Sequence, residues 1–341
     1  MRRIKIAQFG LGPIGKESLR LAAERADLEV IGAVEIDPAL SGRPVGEALG
    51  CPLPAAARIH PSFAALAAHA GLPDVLLHTA GSDANRSFAQ GLPALDAGVS
   101  VASTCEELIF PRLLAPERTA EIDALCRRTG ARLVGTGVNP GFVMDVLPLC
   151  LTGVCREVSA VYEERVVDAR TRRQPLQAKI GSGQDPAEFR ARFAAGKAGH
   201  AGFRQSVALL AHGLGWRLDE IRETCEPVVA DSRVVTAHFD VAPGRTLGLH
   251  QRCVGLAGGE TRIRLDLQMY LGAPLPHDAI VIQGRPGLNV HLQGGVAGDD
   301  ATVAALLNVI PSLLATSPGV RLLPELPLTV CRNAGHASLS P

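Results

Sequence analysis

Two adjacent carboxylates are the first candidates for acid–base chemistry. Glu106 and Glu107 lie in SerThrCysGluGluLeu, residues 103–108, directly after an apolar run that predicts a buried strand. A carboxyl group at such a strand end can act as a general acid or base when partial burial raises its pKa toward neutrality. The alternative is structural, because glutamate in the first turn of a helix interacts favourably with the helix dipole.

A second polar segment, GlyThrGlyValAsnProGlyPhe at residues 135–142, follows another predicted strand. Its glycines allow a ligand to approach the backbone closely, and the Asn139 amide offers both donors and an acceptor. Asn139 could therefore bind a cofactor carboxamide or a substrate. Pro140 and Gly141 could equally serve only to form a turn.

A phosphate-binding turn is predicted near the N-terminus. Gly10, Gly12 and Gly15 form the pattern G-x-G-x-x-G, which directly follows a predicted strand and opens a predicted helix. In this context the first glycine permits a tight turn, the second lets a pyrophosphate approach, and the third lets helix and strand pack closely. The phosphates would bind at the helix N-terminus, so NAD or NADP is the expected cofactor. The expected contacts in the turn are Gly10, Leu11, Gly12, Pro13, Ile14 and Gly15.

The adenosine ribose is expected to meet an acidic residue about 20 residues further on, at the end of the second strand. Glu35 occupies that place, and Asp37 is the next nearest carboxylate. A carboxylate there accepts from the ribose hydroxyls and favours NAD. Arg43 follows on the same loop and could bind the 2′-phosphate of NADP, so both cofactors stay open. A turn aspartate and a solvated arginine are the structural alternatives.

A third strand end carries small and hydroxylated residues, Thr79, Gly81 and Ser82, in HisThrAlaGlySer. Such residues suit approach of the cofactor beyond the carboxyl end of a strand. The alternative is a loop that only caps the helix predicted from Asp83.

The elements that must position these residues alternate between strand and helix. Apolar strands are predicted at 4–9, 30–35, 75–79, 99–104 and 133–137, and helices at 13–25, 83–97 and 116–128. Near-continuous apolar strands indicate a parallel sheet that is covered on both faces. The predicted fold class is therefore α/β, a doubly wound Rossmann sheet.

A second domain is predicted after about residue 148, where the strands alternate more with polar residues and indicate a mostly antiparallel sheet. Strands are predicted at 156–170, 233–243, 247–255 and 261–270, and helices at 186–197, 203–214 and 299–315. Asp299 is suited to cap the last helix. The expected domains are a Rossmann cofactor domain at 1–146, an α+β substrate and dimerisation domain at 147–298, a helix returning to the cofactor domain at 299–330, and a disordered tail at 333–341.

Composition limits the classes of function. The chain has 341 residues, of which 47% are hydrophobic and 20% charged, with a formal net charge of zero. This balance predicts a globular protein that binds neither nucleic acid nor membranes. Because no signal-like or membrane-spanning apolar run occurs, we expect a cytoplasmic protein. The eight cysteines lack metal-ligand spacing, so we expect reduced thiols without zinc or a structural disulfide.

The chain resembles the 2,4-diaminopentanoate dehydrogenase family in five stretches: GLGPIG near residue 10, STCEEL at 103, GTGVNPGF at 135, GHAGF at 199 and the DDATVAALLN helix. The family includes the native NAD(P)-dependent amine dehydrogenases and is related in architecture to dihydrodipicolinate reductase. The resemblance covers about residues 3–328, and GTGVNPGF and CEEL are more specific than the glycine pattern. It implies reversible oxidative deamination of an amine to a ketone plus ammonia, with hydride transfer to NAD or NADP.

The resemblance also implies roles for individual residues. A glutamate of the CEEL motif handles the proton of the amine or ammonia, so Glu106 or Glu107 would be catalytic, with Glu107 favoured. The substrate pocket and the nicotinamide would be bordered by Asn139, Phe142, Met144, His200 and Thr302, and Asn308 would approach the cofactor. An ordinary surface histidine and a merely polar helix face are the alternatives for His200 and Asn308.

Other functions stay open beside this one. Dihydrodipicolinate reductase would carry adjacent histidines followed by a lysine, and a Pro-Ser-Gly-Thr stretch, which this sequence lacks. A homoserine or other amino-acid dehydrogenase usually has a lysine where this chain has Glu106 and Glu107. A redox sensor that binds NAD(H) without turnover would share the fold but would not need these carboxylates.

Substrate and assembly are less constrained. A diamine would need an acidic partner for its second ammonium, and Glu163, Glu164 and Asp168 are candidates by position. The apolar Phe142 and Met144 favour an aliphatic or cyclic amine or ketone instead. The antiparallel sheet could pair across a twofold axis, so we expect a homodimer whose other partners are small amines, ketones and ammonia.

Overall fold

The computed structural model describes residues 2–331, which divide into two compact units. The first unit joins the residues up to Phe142 to those from Ala297 onward, and the second comprises Val143–Val296. The tail expected at 333–341 lies outside the described residues. No helix in the described part of the chain combines the length and hydrophobicity needed to cross a lipid bilayer.

The first unit begins with six strands that alternate with helices. The strands are β1 (Ile4–Phe9), β2 (Leu28–Val34), β3 (Arg58–His60), β4 (Val75–His78), β5 (Ser100–Ser103) and β6 (Arg132–Gly135). The helices are α1 (Pro13–Ala23), α2 (Val45–Leu49), α3 (Phe63–Ala70), α4 (Ala84–Asp96) and α5 (Pro116–Thr129). The elements β3, α2 and α3 were not predicted, because runs of three to eight residues carry little periodicity.

Successive residues of these strands pack on opposite faces of the sheet. Leu76 of β4 belongs to one hydrophobic cluster with Phe88 of α4. The next residue, Leu77, belongs to a second cluster with Leu19 of α1. Because helices cover both faces, the strands have no solvent-facing side, and this explains their near-continuous apolar sequences.

The second unit is built on a six-stranded mixed sheet. The strands of this unit, including two that lie outside the six-stranded sheet, are β7 (Glu157–Asp168), β8 (Glu220–Val229), β9 (Val234–Val235), β10 (Asp240–Val241), β11 (Thr246–Ala257), β12 (Glu260–Tyr270), β13 (His277–Arg285) and β14 (Leu288–Gln293). Its helices are α6 (Val146–Thr152), α7 (Gln174–Lys179), α8 (Pro186–Ala194) and α9 (Phe203–Gly213). The order β14-β13-β7-β12-β11-β8 is antiparallel except for the parallel pair of β7 and β12, which confirms a mostly antiparallel sheet.

The single strand predicted at 233–243 was wrong. That segment forms a separate two-stranded hairpin of β9 and β10. Thr236 closes the turn, since its backbone N–H donates to the Phe239 carbonyl and its hydroxyl accepts the Phe239 N–H.

The chain returns to the first unit through α10 (Gly298–Ala315) and β15 (Gly319–Arg321). β15 pairs in parallel with β6 and completes a seven-stranded parallel sheet of order β15-β6-β5-β4-β1-β2-β3, which confirms the predicted Rossmann-type fold. The N-cap of α10 is Ala297, so the expected capping by Asp299 was wrong. Asp299 and Asp300 lie two and three positions after the N-cap, in the first turn, where they still interact favourably with the helix dipole.

Candidate functional site

The glycine turn between β1 and α1 needs its three glycines for different reasons. Gly10 has φ of +90°, a conformation that other residues avoid. A Cβ on Gly15 would lie 2.0 Å from the Gly10 carbonyl oxygen, so no larger residue fits there. Gly12 is exposed, and apart from its own helix backbone and chain neighbours no heavy atom of the described residues lies within 4 Å of where its Cβ would be. This open space is where a pyrophosphate can approach the backbone.

The N-terminus of α1 is suited to bind an anion. Gly12 is the N-cap, Pro13 is the first helical residue, and no side chain among residues 2–331 caps the helix. Its first N–H groups, including that of the half-buried Ile14, therefore face a ligand-accessible helix end with a favourable dipole. Leu11 is buried in the core, so only its backbone belongs to this site.

The Glu35 carboxylate lies directly beside the glycine turn. One of its oxygens accepts the backbone N–H of Leu11 at 2.7 Å, and the other accepts the N–H of Ile36 at 2.8 Å. Asp37 instead accepts the N–H of Ala39 within its own loop. Of the two acids considered for the ribose, Glu35 is therefore the one that the fold holds at the turn.

Two polar side chains, the half-buried Thr79 and the buried Gln8, support the glycine turn by hydrogen bonds. The Thr79 hydroxyl donates to the Gly10 carbonyl at 3.1 Å and accepts from the Gln8 amide at 2.9 Å. Gln8 is completely buried on β1 and also donates to the Gly10 carbonyl. The Thr79 hydroxyl thus supports the turn, and its contact with the cofactor stays a prediction. Gln8 was missed, although a glutamine in an otherwise apolar strand is a signal.

The remaining candidates near the cofactor turn lie on loops. Gly81 is exposed with φ of +150°, and Ser82 is half-buried. They precede Asp83, which caps α4 by accepting the N–H of Arg86 at 2.7 Å. Arg43 is exposed on the loop before α2. These positions are compatible with contact to a ligand. None of the hydrogen bonds described for Gly81, Ser82 and Arg43 reaches the glycine turn between β1 and α1.

Glu106 and Glu107 open a 3₁₀ turn directly after β5. The Glu107 carboxylate accepts the backbone N–H of Ala84, the first residue of α4, at 2.7 Å. Burial raises the pKa of Glu107; the Ala84 N–H lowers it, and the neighbouring Asp83 and Glu106 raise it. Glu107 is thus a half-buried acid whose proton affinity is increased, as general acid–base chemistry near neutral pH requires.

The two polar segments predicted at 103–108 and 135–142 lie side by side at the carboxyl ends of β5 and β6. The Thr136 N–H donates to the Ser103 carbonyl at 2.8 Å. A Cβ on Gly135 would lie 2.4 Å from the Leu108 carbonyl carbon. Glycine at 135 therefore allows the turn that carries Glu107 to pack directly on β6.

The loop after β6 is equally tight. A Cβ on Gly141 would lie 2.5 Å from the backbone nitrogen of Gly137, and Gly141 has φ of +123°. Asn139 is half-buried in this loop, and Phe142, at its end, is 42% exposed. The Phe142 side chain therefore reaches the surface at the end of this loop, whereas the amide nitrogen of Asn139 is buried within it.

Two other predicted residues lie on α10. The Asn308 oxygen accepts from Arg25 at 3.0 Å, just beyond the end of α1 that is remote from the glycine turn. Since α1 rises about 16 Å over its length, the structure does not bring Asn308 to the phosphate site. The Thr302 hydroxyl donates to the Gly298 carbonyl within the first turns of α10.

The candidates in the second unit are tied into its own core. Met144 is 0% exposed, so its side chain offers no surface to a substrate in this conformation. The backbone of His200 is paired with the Gln251 side chain, which accepts its N–H at 2.7 Å and donates to its carbonyl at 2.8 Å. The His200 ring lies edge-on to Phe203.

Two of the acids considered for a second ammonium already have partners. Glu164 is hydrogen-bonded to His277 at 3.0 Å, and Asp168 pairs with Arg170 at 2.6 Å. Neither carboxylate is therefore an unoccupied receptor for a cation.

Glu163 differs, because it is 2% exposed and neither carboxyl oxygen has a hydrogen-bond partner within the described part of the chain. Burial raises the pKa of Glu163 well above its ordinary value, Asp145 and Asp278 raise it further, and Arg165 lowers it. Burial without a hydrogen-bond partner therefore favours the protonated, neutral form of Glu163 in the core of the second unit.

The thiol beside the candidate acids is not a reactive group, and the described residues include no metal-binding cluster. Burial raises the pKa of the Cys105 thiol, which adjoins Glu106, to about 11, so the thiol is protonated and unreactive at neutral pH. Among residues 2–331, no group of three or more histidine, cysteine or acidic side chains is arranged to hold a metal ion.

Comparison with known proteins places the chain in a family. It is 27% identical over 341 residues to a 2,4-diaminopentanoate dehydrogenase of Acetoanaerobium sticklandii, covering 96% of this chain and 94% of that protein. It is 25% identical over 350 residues to an amine dehydrogenase of Streptomyces virginiae, covering 95% and 96%. The solved structure of an amine dehydrogenase from Mycobacterium smegmatis matches with a TM-score of 0.83 at 21% identity, over 96% of this chain and 97% of that chain.

A family model also matches more than half of the chain, at residues 142–339. That model describes the 2,4-diaminopentanoate dehydrogenase C-terminal domain. The resemblance noted from the motifs is thereby confirmed, and the chain belongs to the 2,4-diaminopentanoate dehydrogenase family.

Proposed function

We propose that this protein is an NAD(P)-dependent amine dehydrogenase, which interconverts an amine with a ketone and ammonia. The observation that carries the proposal is the Glu107 carboxyl, half-buried beside the 135–142 loop and held by the N-terminus of α4. Family membership supports the reaction class, and the parallel sheet with its glycine turn supports the cofactor class.

The residues of the first unit fit a dinucleotide. The open space at Gly12 and the uncapped N-terminus of α1 would receive the pyrophosphate. Glu35 would receive the adenosine ribose, since its carboxylate is already fixed beside Leu11. When bound, the nicotinamide supplies a hydride acceptor for the carbon that bears the amine.

Glu107 would move the protons. As a carboxylate it attracts the alkylammonium form of the substrate and accepts one of its protons, which frees the nitrogen lone pair. Being half-buried, it can then pass that proton to solvent. The regenerated carboxylate would deprotonate the water that attacks the iminium carbon of the substrate, giving ketone and ammonia. Reductive amination follows the same steps in reverse.

The cofactor preference follows from Glu35. A carboxylate at the ribose repels a 2′-phosphate, whereas the exposed Arg43 would attract one. Because Glu35 is fixed at the turn by two hydrogen bonds, we expect NAD to be preferred. Glu35→Ala should raise NADP use relative to NAD, and Arg43→Ala should not. A wild-type preference for NADP that depends on Arg43 would contradict this assignment.

The proposed assembly is a cytoplasmic homodimer. α9 packs on β8, β11 and β12 and so covers one face of the second unit's sheet. The other face includes Arg252 and Asp266, which are joined at 2.7 Å, and it could pair with a second copy. Sedimentation of the purified chain tests the dimer, and a monomer at micromolar concentration would refute it. A cytoplasmic location is proposed because the reaction draws on the NAD(P) pool.

The function is tested by following oxidation of NADH and NADPH by absorbance, with excess ammonium and a panel of aliphatic and cyclic ketones. We expect oxidation that depends on ammonia. Glu107→Gln should lower kcat by about 10²- to 10⁴-fold, the usual effect of removing a general acid–base group, with unchanged cofactor affinity. Glu106→Gln is the matched control and should retain most activity.

Other outcomes would contradict the proposal. Oxidation without ammonia would indicate carbonyl reduction. Tight cofactor binding without turnover of amines, diamines or ketones would favour a redox sensor, because sensing does not need the Glu107 carboxylate.

A further inference from the structure

His78, the last residue of β4, is 1% exposed and lies between α4 and β5. Its Nε2 is 2.9 Å from the Gln90 side-chain oxygen on α4, and its Nδ1 is 2.9 Å from the Ser103 hydroxyl at the end of β5. The Ser103 hydroxyl also accepts the backbone N–H of Cys105 at 3.1 Å. One chain of hydrogen bonds therefore runs from α4 to the start of the turn that carries Glu107.

The direction of donation along this chain is determined by its ends. The Gln90 oxygen can only accept, so His78 must donate from Nε2, which leaves Nδ1 of the neutral ring as an acceptor. The Ser103 hydroxyl then donates to Nδ1 while it accepts from Cys105. Burial lowers the pKa of His78, in agreement with a neutral ring; the Gln90 hydrogen bond raises it, and Arg86 lowers it.

The same helix is held a second time by the acid itself, because Glu107 accepts the N–H of Ala84 at the start of α4. The turn and α4 are thus joined at two places, directly at Ala84 and through His78 at Gln90. Breaking the second connection would leave the Ser103 hydroxyl without its acceptor and loosen the start of the turn at Cys105, the residue directly before Glu106.

We propose that His78, through Ser103, is a positioning residue that sets the place of the Glu107 carboxyl. The inference rests on the acid–base role proposed for Glu107. His78 itself would touch neither substrate nor cofactor, so its loss should change the rate of reaction and leave binding unchanged.

The first test removes the shared hydroxyl. Ser103→Ala should lower kcat for amine oxidation about 10- to 100-fold, as expected for a displaced catalytic group, with cofactor Kd and substrate KM within about twofold of wild type. Ser100→Ala is the matched control, since Ser100 is buried at the opposite end of β5, and its kcat should be unchanged. His78→Asn, whose amide oxygen can take the place of Nδ1, should recover most of the activity that His78→Phe loses.

The second test asks whether His78 acts through Glu107. In a Glu107→Gln background, His78→Phe should lower the residual kcat by less than about twofold, because residues that act as a unit are not additive. If His78→Phe does not fold, Ser103→Ala can replace it in this double-mutant cycle with Glu107→Gln. An equal loss in both backgrounds, or a weaker cofactor Kd that accounts for the loss, would overturn the proposal. Full activity of Glu107→Gln alone would instead refute the proposed function.

Discussion

The Glu107 carboxylate accepts the backbone N–H of Ala84 at 2.7 Å, so this acid is held at the positive end of α4. The helix N-terminus favours the ionised form of the acid, whereas burial favours the protonated form. The pKa of Glu107 is raised because burial is the larger effect. The helix therefore moderates the effect of burial and keeps the group able to exchange its proton.

This balance predicts the pH dependence of amine oxidation. The reaction needs the carboxylate, so kcat should rise with pH through the pKa of Glu107, above the value of about 4.3 for an ordinary glutamate. Asp83→Asn removes a charge that raises this pKa and keeps a side chain that can cap α4. The acidic limb of the pH–kcat profile should therefore move to lower pH in this variant. A limb that does not move, or that persists in Glu107→Gln, would show that another group titrates.

The glycine turn predicts opposite results for two alanine substitutions. Gly12→Ala places its methyl group in open space, so the thermal midpoint should stay within a few degrees of wild type while cofactor Kd rises at least tenfold. Gly15→Ala places its methyl group 2.0 Å from the Gly10 carbonyl, so it should destabilise the fold by about 1–3 kcal/mol. Thermal unfolding and cofactor fluorescence titration measure both effects. Equal destabilisation by the two variants would contradict this explanation.

Gly135 predicts a link between packing and catalysis. An alanine there would collide with the Leu108 backbone and displace the turn that carries Glu107, so Gly135→Ala should lower both kcat and the thermal midpoint. Gly91→Ala is the control: Gly91 lies inside α4, and an added Cβ would come no closer than 3.8 Å to Val101. That variant should be as stable as wild type or slightly more so. Unchanged kcat in Gly135→Ala would show that the packing of this turn on β6 does not affect the catalytic step.

Glu163 predicts a stability effect that depends on pH. Its native pKa is raised, so the folded protein keeps a proton that the unfolded chain releases above about pH 4.3, and stability is lost as pH rises. Glu163→Gln removes this loss and should raise the unfolding free energy at neutral pH by roughly 1–3 kcal/mol, with little gain near pH 4. Denaturant unfolding at the two pH values measures the difference. Glu164→Gln, at the neighbouring half-exposed position, should change stability by less than about 0.5 kcal/mol. A Glu163→Gln variant that is less stable at both pH values would show that the carboxyl has a binding partner.

The parts of the fold that sequence predicts are those whose signal is local. The strands around the glycine turn were predicted because each buries both faces, and Gly10, Gly12 and Gly15 carry their spacing in the chain. The strands β8, β13 and β14 were missed. β8 and β14 form the two edges of their sheet, where charges and Pro227 are tolerated, whereas β13 lies inside the sheet and the edge position does not explain its omission.

The candidate site divides in the same way. Glu35 and Glu107 were predictable from strand ends, because parallel strands bring their carboxyl ends together. The Gln8–Thr79 and His78–Ser103 hydrogen bonds join residues that lie 71 and 25 positions apart, and no spacing rule brings such pairs together. Asn308 was expected near the cofactor because its helix returns to the first unit, but helix position alone did not reveal its bond to Arg25.

The return of α10 has a consequence for how the protein is made. Leu306, Ile310 and Leu313 belong to the same core as Ile6 and Leu19, yet all of residues 143–296 separate the two groups in the chain. On the ribosome, the second unit is therefore available to fold while the first still lacks the part of one hydrophobic cluster that α10 contributes beside α1. Domains usually fold in the order in which they are synthesised. Here the unit whose synthesis begins first can complete its core only after α10 has been synthesised.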